Sequence, residues 1–340
     1  MSATGSTPAS VIEESLPHEG WPGGEGAEVP PGIGPYQLAW RRLRRNKVAL
    51  AFGGLFLVIL ILCLLAPLYA KYVAHTGPNS ENVDTALNQF GVPLGPTWHA
   101  KYFLGADPVG RDVAVRLLYG GRNSLEIGFE ATLITIVLAT LLGVLSGYFR
   151  GPLDGFISRA FEVIWAYPVY LLGIVLGVVL AISGLDLGLF KIGSSSLLIT
   201  ALIIGVIYTP YVGKAIRGQV LGLREREFID AARQQGLGNF RIMYQEILPN
   251  VASTIIVFIP LVLANAILTE AGLSFLGAGV RPPNPSWGTM ISEGINLLPS
   301  AVHTMLVPGI MLVLCVLGIN VFGDGVRDAL DPRAKIRIDH

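Results

Sequence analysis

Residues 230–238 read DAARQQGLG, a polar stretch lying between apolar segments that are each long enough to cross a bilayer. Asp230 leads two alanines, which favour helix. Gly236 and Gly238 follow, and glycine takes left-handed backbone angles freely. The spacing predicts a short helix with a glycine exit. Around it the chain reads KAIRGQVLGLREREFIDAARQQGLGNFRIMYQEILPN. Val220, Leu223, Phe228 and Ile229 alternate with charges, as an interfacial or water-facing helix requires. Asn239 stands where it can cap a second short helix carrying Phe240, Ile242, Met243 and Ile247, which Pro249 is expected to break. Helix, glycine turn and helix make a rigid knob. Two readings fit it: a solvated connector between spans, or a docking element for another protein.

The flanking segments explain why the knob stands out. Of 340 residues, 52% are hydrophobic and only 14% charged, and the mean hydropathy is +0.58. A soluble domain carries about 25% charged residues, so this chain has too few to coat its own surface in water. A spanning helix needs about 20 apolar residues, and six stretches qualify. They run from about Val48 to Ala70, Leu125 to Tyr148, Phe161 to Ile182, Leu197 to Val212, Ala252 to Leu276 and Ala301 to Phe322. Pro260 and Pro308 lie inside the last two and are placed to bend them. An all-α polytopic membrane protein with about six spans is expected.

Lys and Arg set the orientation. Arg41, Arg42, Arg44, Arg45 and Lys47 precede the first span, and Lys214, Arg217, Arg224, Arg226, Arg233 and Arg241 lie between the fourth and fifth. Arg327, Arg333, Lys335 and Arg337 follow the sixth. The other side is poorer in them, so both termini and the knob are placed in the cytoplasm. Residues 1–35, rich in Pro, Gly, Ser and Glu, read as a disordered acidic tail. Next come a basic segment with the first span (36–72), an extracytoplasmic loop (73–124), a multi-span core (125–325) enclosing the cytoplasmic loop 213–250, and a C-terminal tail (326–340). Cys63 and Cys315 lie in apolar runs and read as buried, inert thiols.

Two further groups of polar residues invite a role. In the outer loop, Asp107 and Arg111 are four residues apart, as are Asp112 and Arg116. On a helix such pairs face each other, which predicts a short surface helix before the second span. It either shapes an outer gate or docking site, or simply clamps the entrance to the span. Within the fifth span, Asn265 and Glu270 are polar groups that membranes tolerate mainly at a bundle interior or cavity. Glu270 either lines a polar path through the bundle, a translocation path if the chain transports a solute, or accepts hydrogen bonds around Gly272 and Ser274. Nucleotide and metal chemistry find no footing. The only Gly-Lys pair, Gly213-Lys214, lacks both the following hydroxyl and the upstream glycine of a phosphate-binding loop. The five histidines show no paired ligand spacing.

The loop resembles the E-A-A-x-x-x-G-…-I-x-L-P signature of permease subunits of ABC importers, matched by Asp230, Ala231, Ala232, Gly236, Ile247, Leu248 and Pro249, with Asp230 in place of the usual Glu. The run FLGADPVGRDVAVRLLYGGRNSLEIG resembles that of the C-type permeases of dipeptide, oligopeptide and nickel importers. Leu104, Gly105, Asp107, Gly110, Arg111, Asp112, Val113, Arg116, Gly120, Arg122, Ser124 and Leu125 match it, while Ala106 and Val115 replace Thr and Ser. With LTEAGLSFLGAGVRPPNPSWGTMISEG and GINVFGDGVRDALDPR the likeness covers roughly residues 36 to 335. It implies the type I permease fold of ABC importers and a non-catalytic subunit translocating di- or oligopeptides across the inner membrane. It also implies a second permease subunit, two cytoplasmic ATPase domains that bind ATP and Mg, an extracytoplasmic substrate-binding protein and surrounding lipid, with no metal or nucleic acid. Coupling to the ATPase falls to Asp230, Ala231, Ala232, Arg233, Gly236, Leu237, Phe240 and Pro249. Nickel chelates or other small solutes are the alternative cargo, and an ATP-independent secondary transporter is the rival mechanism.

Overall fold

The structure is a computed structural model that describes residues 35–186, 191–193 and 196–331. The acidic tail, apart from Pro35, and Arg333, Lys335 and Arg337 fall outside the described residues. Helix α1 (Pro35–Arg45) lays Ala39 and Leu43, four residues apart and thus on one face, against the last turns of the chain at Phe322, Val326 and Ala329. Asn46 then caps α2 (Lys47–Leu64) by accepting from the Ala49 amide at 3.0 Å. Helix α2 is apolar all round yet buries only Ala49, Ile59 and Cys63, the pattern of a helix solvated by lipid. A short α3 (Ala66–Tyr69), a π-helical turn (Ala70–Ala74) and α4 (Val83–Ala86) lead to α5 (Val113–Phe149).

Helix α5 begins at Val113, well before the expected Leu125, so the outer loop and the second span share one helix. It ends at Arg150, which has positive φ, and α6 (Gly151–Trp165) turns back. Helix α7 (Val169–Ser183) leaves α6 at 93°. The third span, expected as one run from Phe161 to Ile182, is therefore broken at Ala166, Tyr167 and Pro168. Pro168 supplies no amide hydrogen and pushes the residue before it away from helical angles. Hydropathy, which sums side chains, does not register this. Strands β1 (Leu185–Asp186) and β2 (Lys191–Ile192) pair antiparallel, a minor departure from an all-helical chain. Helix α8 (Leu197–Arg224) then runs parallel to α5, Ala131 and Ile134 meeting Gly205 and Gly147 meeting Val220.

Beyond α8 come α9 (Glu227–Gln234), α10 (Asn239–Ile242), a π-helical turn (Met243–Ile247) and α11 (Leu248–Phe275). Helix α12 (Trp287–Gly294) and α13 (His303–Leu330) complete the bundle. Pro249 does not break the chain as expected. The helical run continues from Asn239 to Phe275, and the π-helical turn Met243–Ile247 lies just before Pro249, a wider turn of the kind that accommodates a local defect in the hydrogen-bond ladder. Pro260 and Pro308 lie within helices assigned continuously through them. Five helical segments are long and apolar enough to cross a membrane, and the bent pair α6–α7, counted as one, makes six. Cys63 and Cys315 are buried and unbonded in one core cluster with Trp287, Leu117 and Ile267.

Candidate functional site

Functional groups gather at both ends of the bundle. At the basic end, where α5 and α8 finish, the loop is a knob as expected. Ile229 and Ala232 of α9 and Ile242 of α10 are buried in a cluster with Val144, Tyr148 and Val220. The opposite face of α9 is water-exposed: Ala231, Asp230 and Arg233 point outward, the last two paired at 3.1 Å. Gly236 has φ +79° and closes the helix, its amide donating to Arg233 O at 2.9 Å and the Leu237 amide to Ala232 O at 3.1 Å. Leu237 is half-buried, whereas Pro249 is exposed and Phe240 is 77% exposed. Asn239 is not the cap. Gly238 occupies that place, and the Asn239 side chain accepts from the Tyr148 hydroxyl at 2.9 Å.

The knob is tied to the bundle by residues that local spacing does not reveal. Arg224 donates to Tyr148 O at 2.8 Å, and Arg150 pairs with Glu225 at 2.8 Å. About two turns further into the bundle, Arg217 grips Asp154 with two hydrogen bonds, Nε to Oδ1 at 2.6 Å and Nη2 to Oδ2 at 2.7 Å. A fork of this kind fixes orientation as well as distance. The knob is thus set on a collar formed by α5, α6 and α8.

At the far end the surface helix expected over Asp107 to Arg116 is not formed. Residues 106 and 112 instead face each other in an antiparallel bridge, and Gly105 and Gly110 have positive φ. Asp107 and Arg111 do pair, at 2.5 Å, but across this tight turn. Asp112 does not pair with Arg116. It caps α5, accepting from the Ala114 and Val115 amides at 2.9 and 3.1 Å. Arg116, 1% exposed, reaches Asp107 at 3.4 Å and Glu293 at 3.1 Å, and Arg111 reaches Glu293 at 2.7 Å. A two-by-two charge cluster, buried except at half-buried Glu293, therefore locks the loop and α5 to α12. Glu293 was out of reach of any reading based on i, i+4 spacing.

Helix α12 is fastened from below as well. Glu270 is fully buried and accepts from the Ser274 hydroxyl at 2.6 Å, with Ser124 and Ser286 flanking the carboxylate. Each serine oxygen in turn receives a backbone amide: Val280 on Ser274 at 2.9 Å, Trp287 on Ser124 at 3.3 Å, and Thr289 on Ser286 at 3.1 Å. A glycine is required at Gly288, because a Cβ there would run into the backbone of Ala271. The path-lining reading of Glu270 gives way to a structural one, since a carboxylate sealed among serines faces no open space. Asn265 likewise turns its amide to Leu261 O at 2.8 Å within its own helix.

Comparison with known proteins follows the same architecture. The family model described as the binding-protein-dependent transport system inner membrane component matches residues 139–336. The model for the N-terminal TM domain of oligopeptide transport permease C matches residues 34–89. A dipeptide transport system permease protein of Alkalihalophilus pseudofirmus is 37% identical over 306 residues, covering 89% of this chain and 91% of that protein. A glutathione transport system permease protein of Pectobacterium atrosepticum is 35% identical over 302 residues, covering 88% and 92%. A chain of the MetNI methionine ABC transporter, in an inward facing conformation, superposes with a TM-score of 0.51 over 64% of this chain and 96% of its own, at 19% identity. That likeness is one of fold.

Proposed function

The chain belongs to the family of binding-protein-dependent transport inner membrane components, and within it we propose that this subunit carries di- or oligopeptides inward by alternating access driven by partner ATPases. The family is one of membrane-embedded, non-catalytic permease subunits, so the energy enters through other chains. The observation that carries the reading is the knob: a compact helix pair whose inner face is packed into the bundle while Asp230, Ala231, Arg233 and Phe240 remain exposed. Such a surface suits a groove on a cytoplasmic ATPase domain, and the Arg217–Asp154 and Arg224–Tyr148 ties give its displacement a route into α5, α6 and α8. ATP and Mg belong to that partner. A second permease subunit supplies the other half of the pathway, and an extracytoplasmic binding protein delivers the peptide to the end carrying α12.

Reconstitution tests this directly. Proteoliposomes holding this chain with a second permease and two ATPase domains, given a loaded binding protein, should accumulate a radiolabelled dipeptide only with internal MgATP. Uptake driven by an ion gradient without ATP would make the chain a secondary transporter. Accumulation of a nickel chelate in place of the peptide would change the cargo and keep the mechanism.

Topology supplies a second check. A thiol introduced by Asn79→Cys should react with an impermeant reagent in intact cells, and a reporter fused after Arg333 should signal from the cytoplasm. Labelling of the introduced thiol only after permeabilisation would invert the orientation and place the knob on the wrong side for an ATPase.

A further inference from the structure

Aromatic side chains gather around the break between α6 and α7. Trp165 stacks on Tyr211 of α8, ring centroids 5.8 Å apart and 10° from parallel, and Tyr211 meets Phe258 of α11 edge-on at 5.6 Å. Tyr208 shares a hydrogen bond with Thr269 at 2.9 Å. Tyr167 lies in the break itself and Tyr170 in the first turn of α7. Tyr167, Tyr170 and Tyr211 are 54%, 42% and 40% exposed, and their hydroxyls hydrogen-bond to no described residue.

Depth makes this arrangement informative. At 1.5 Å per residue, Tyr208 and Tyr211 stand about 17 and 21 Å along α8 from Leu197, where the hydrocarbon core is about 30 Å thick. The unpartnered Tyr211 hydroxyl is thus placed inside the membrane, and the Trp165 ring stacked on Tyr211 sets the break beside it. Tyr167 and Tyr170 follow in the break and the first turn beyond it, so these hydroxyls lie between the two membrane surfaces. Hydrocarbon cannot satisfy them, and irregular backbone such as residues 166–168 is tolerated at that depth only where it is covered by protein or faces a water-filled cavity.

We infer that Trp165, Tyr167, Tyr170, Tyr208 and Tyr211 form an intramembrane contact strip for the peptide in transit. The inference rests on the transport reading above and gives that reading its site. Phenol hydroxyls both donate and accept, so they serve the amide N–H and C=O groups that every peptide has. The ring faces attract a cationic amino terminus. Neither interaction reads side-chain identity, which suits a carrier whose cargo varies in sequence. Glu270 by contrast is sealed inside the bundle, and the Asn265 amide is taken up by Leu261 O of its own helix.

The test uses the complete complex in proteoliposomes. The triple variant Tyr167→Phe, Tyr170→Phe, Tyr211→Phe keeps every ring and removes three hydroxyls. Its complex should be recovered at wild-type yield with an unchanged KM for loaded binding protein, while the maximal uptake rate of radiolabelled dialanine falls at least tenfold. In parallel, the thiol introduced by Tyr211→Cys should react with an impermeant, charged thiol reagent, with the buried Cys63 and Cys315 as background, and dialanine uptake should slow the reaction. Wild-type uptake by the triple variant, or an introduced thiol that never reacts with or without ATP, overturns the site and assigns this face to lipid or to the second permease. If the wild-type complex takes up no peptide, the transport reading itself has failed, and the thiol reaction still decides whether the face is wet.

Discussion

Gly236→Val is expected to leave a folded, inserted chain whose complex no longer couples ATP hydrolysis to uptake. Gly236 has φ +79° and no atom within 4 Å of where a Cβ would stand, so the substitution acts through the backbone alone. A β-branched residue held in the left-handed region costs on the order of 1–3 kcal/mol. That is too little to unpack spans whose buried residues run through three large apolar clusters. It is enough to open the turn that closes α9, because the chain can relieve the strain by swinging α10 and exposed Phe240 away from α9. A groove that requires close fit would then lose its partner. Gly236→Asn is the control, since asparagine tolerates left-handed angles and should retain most of the uptake. Asp230→Ala should be mild, because the pair with Arg233 is exposed on both sides and such pairs contribute about 0.2–1 kcal/mol. ATPase recovery in the membrane fraction, measured beside uptake, reads the effect. Full uptake by Gly236→Val would place the coupling surface elsewhere.

Arg116→Ala should be the most destabilising single change at the far end. The guanidinium is 1% exposed and lies against Asp107 and Glu293, and removing one partner of a buried ion pair costs about 3–5 kcal/mol because the remaining charge keeps its desolvation penalty. Arg111 still touches both carboxylates, at 2.5 and 2.7 Å, which places the loss toward the lower end of that range. The mirror change, Arg111→Ala, leaves only the longer contacts of Arg116 and should also loosen α12 from the loop. Neither arginine contributes to the apolar surface that drives insertion, so membrane yield should hold. The thermal midpoint of the purified complex and protease cleavage between residues 73 and 112 are the readouts. An Arg116→Ala chain with an unchanged midpoint and an uncleaved loop would show that Asp107, Arg111 and Glu293 hold α12 by themselves.

The two variants probe different kinds of information in the chain. Gly236 was legible from the sequence, because a left-handed helix exit is a local requirement that leaves glycine as its mark. Arg116 was half legible: its importance followed from the motif, but its partner did not. The expected Asp112–Arg116 pair assumed a helix through both residues. Asp112 instead uses its carboxylate on the free amides of a helix that starts one residue later. The third span failed for the opposite reason. Its hydropathy is continuous across Tyr167 and Pro168, and the break belongs to the backbone.

By itself the sequence determined what depends on composition, on the lengths of the apolar runs and on the glycine exit at Gly236. The apolar lengths place six crossings, the basic residues mark one end of the bundle, and the Asp230–Gly238 stretch forms a knob between two of those crossings. Tertiary structure alone decided which distant groups meet. Glu293 closes on Arg111 and Arg116, Asp154 on Arg217, Ser124 and Ser286 on Glu270, and Trp165 on Tyr211. These partners lie on different elements, so no helical spacing links them. Charge, hydroxyl and ring become specific interactions only when packing fixes their distance and removes water, and that packing is a property of the whole bundle.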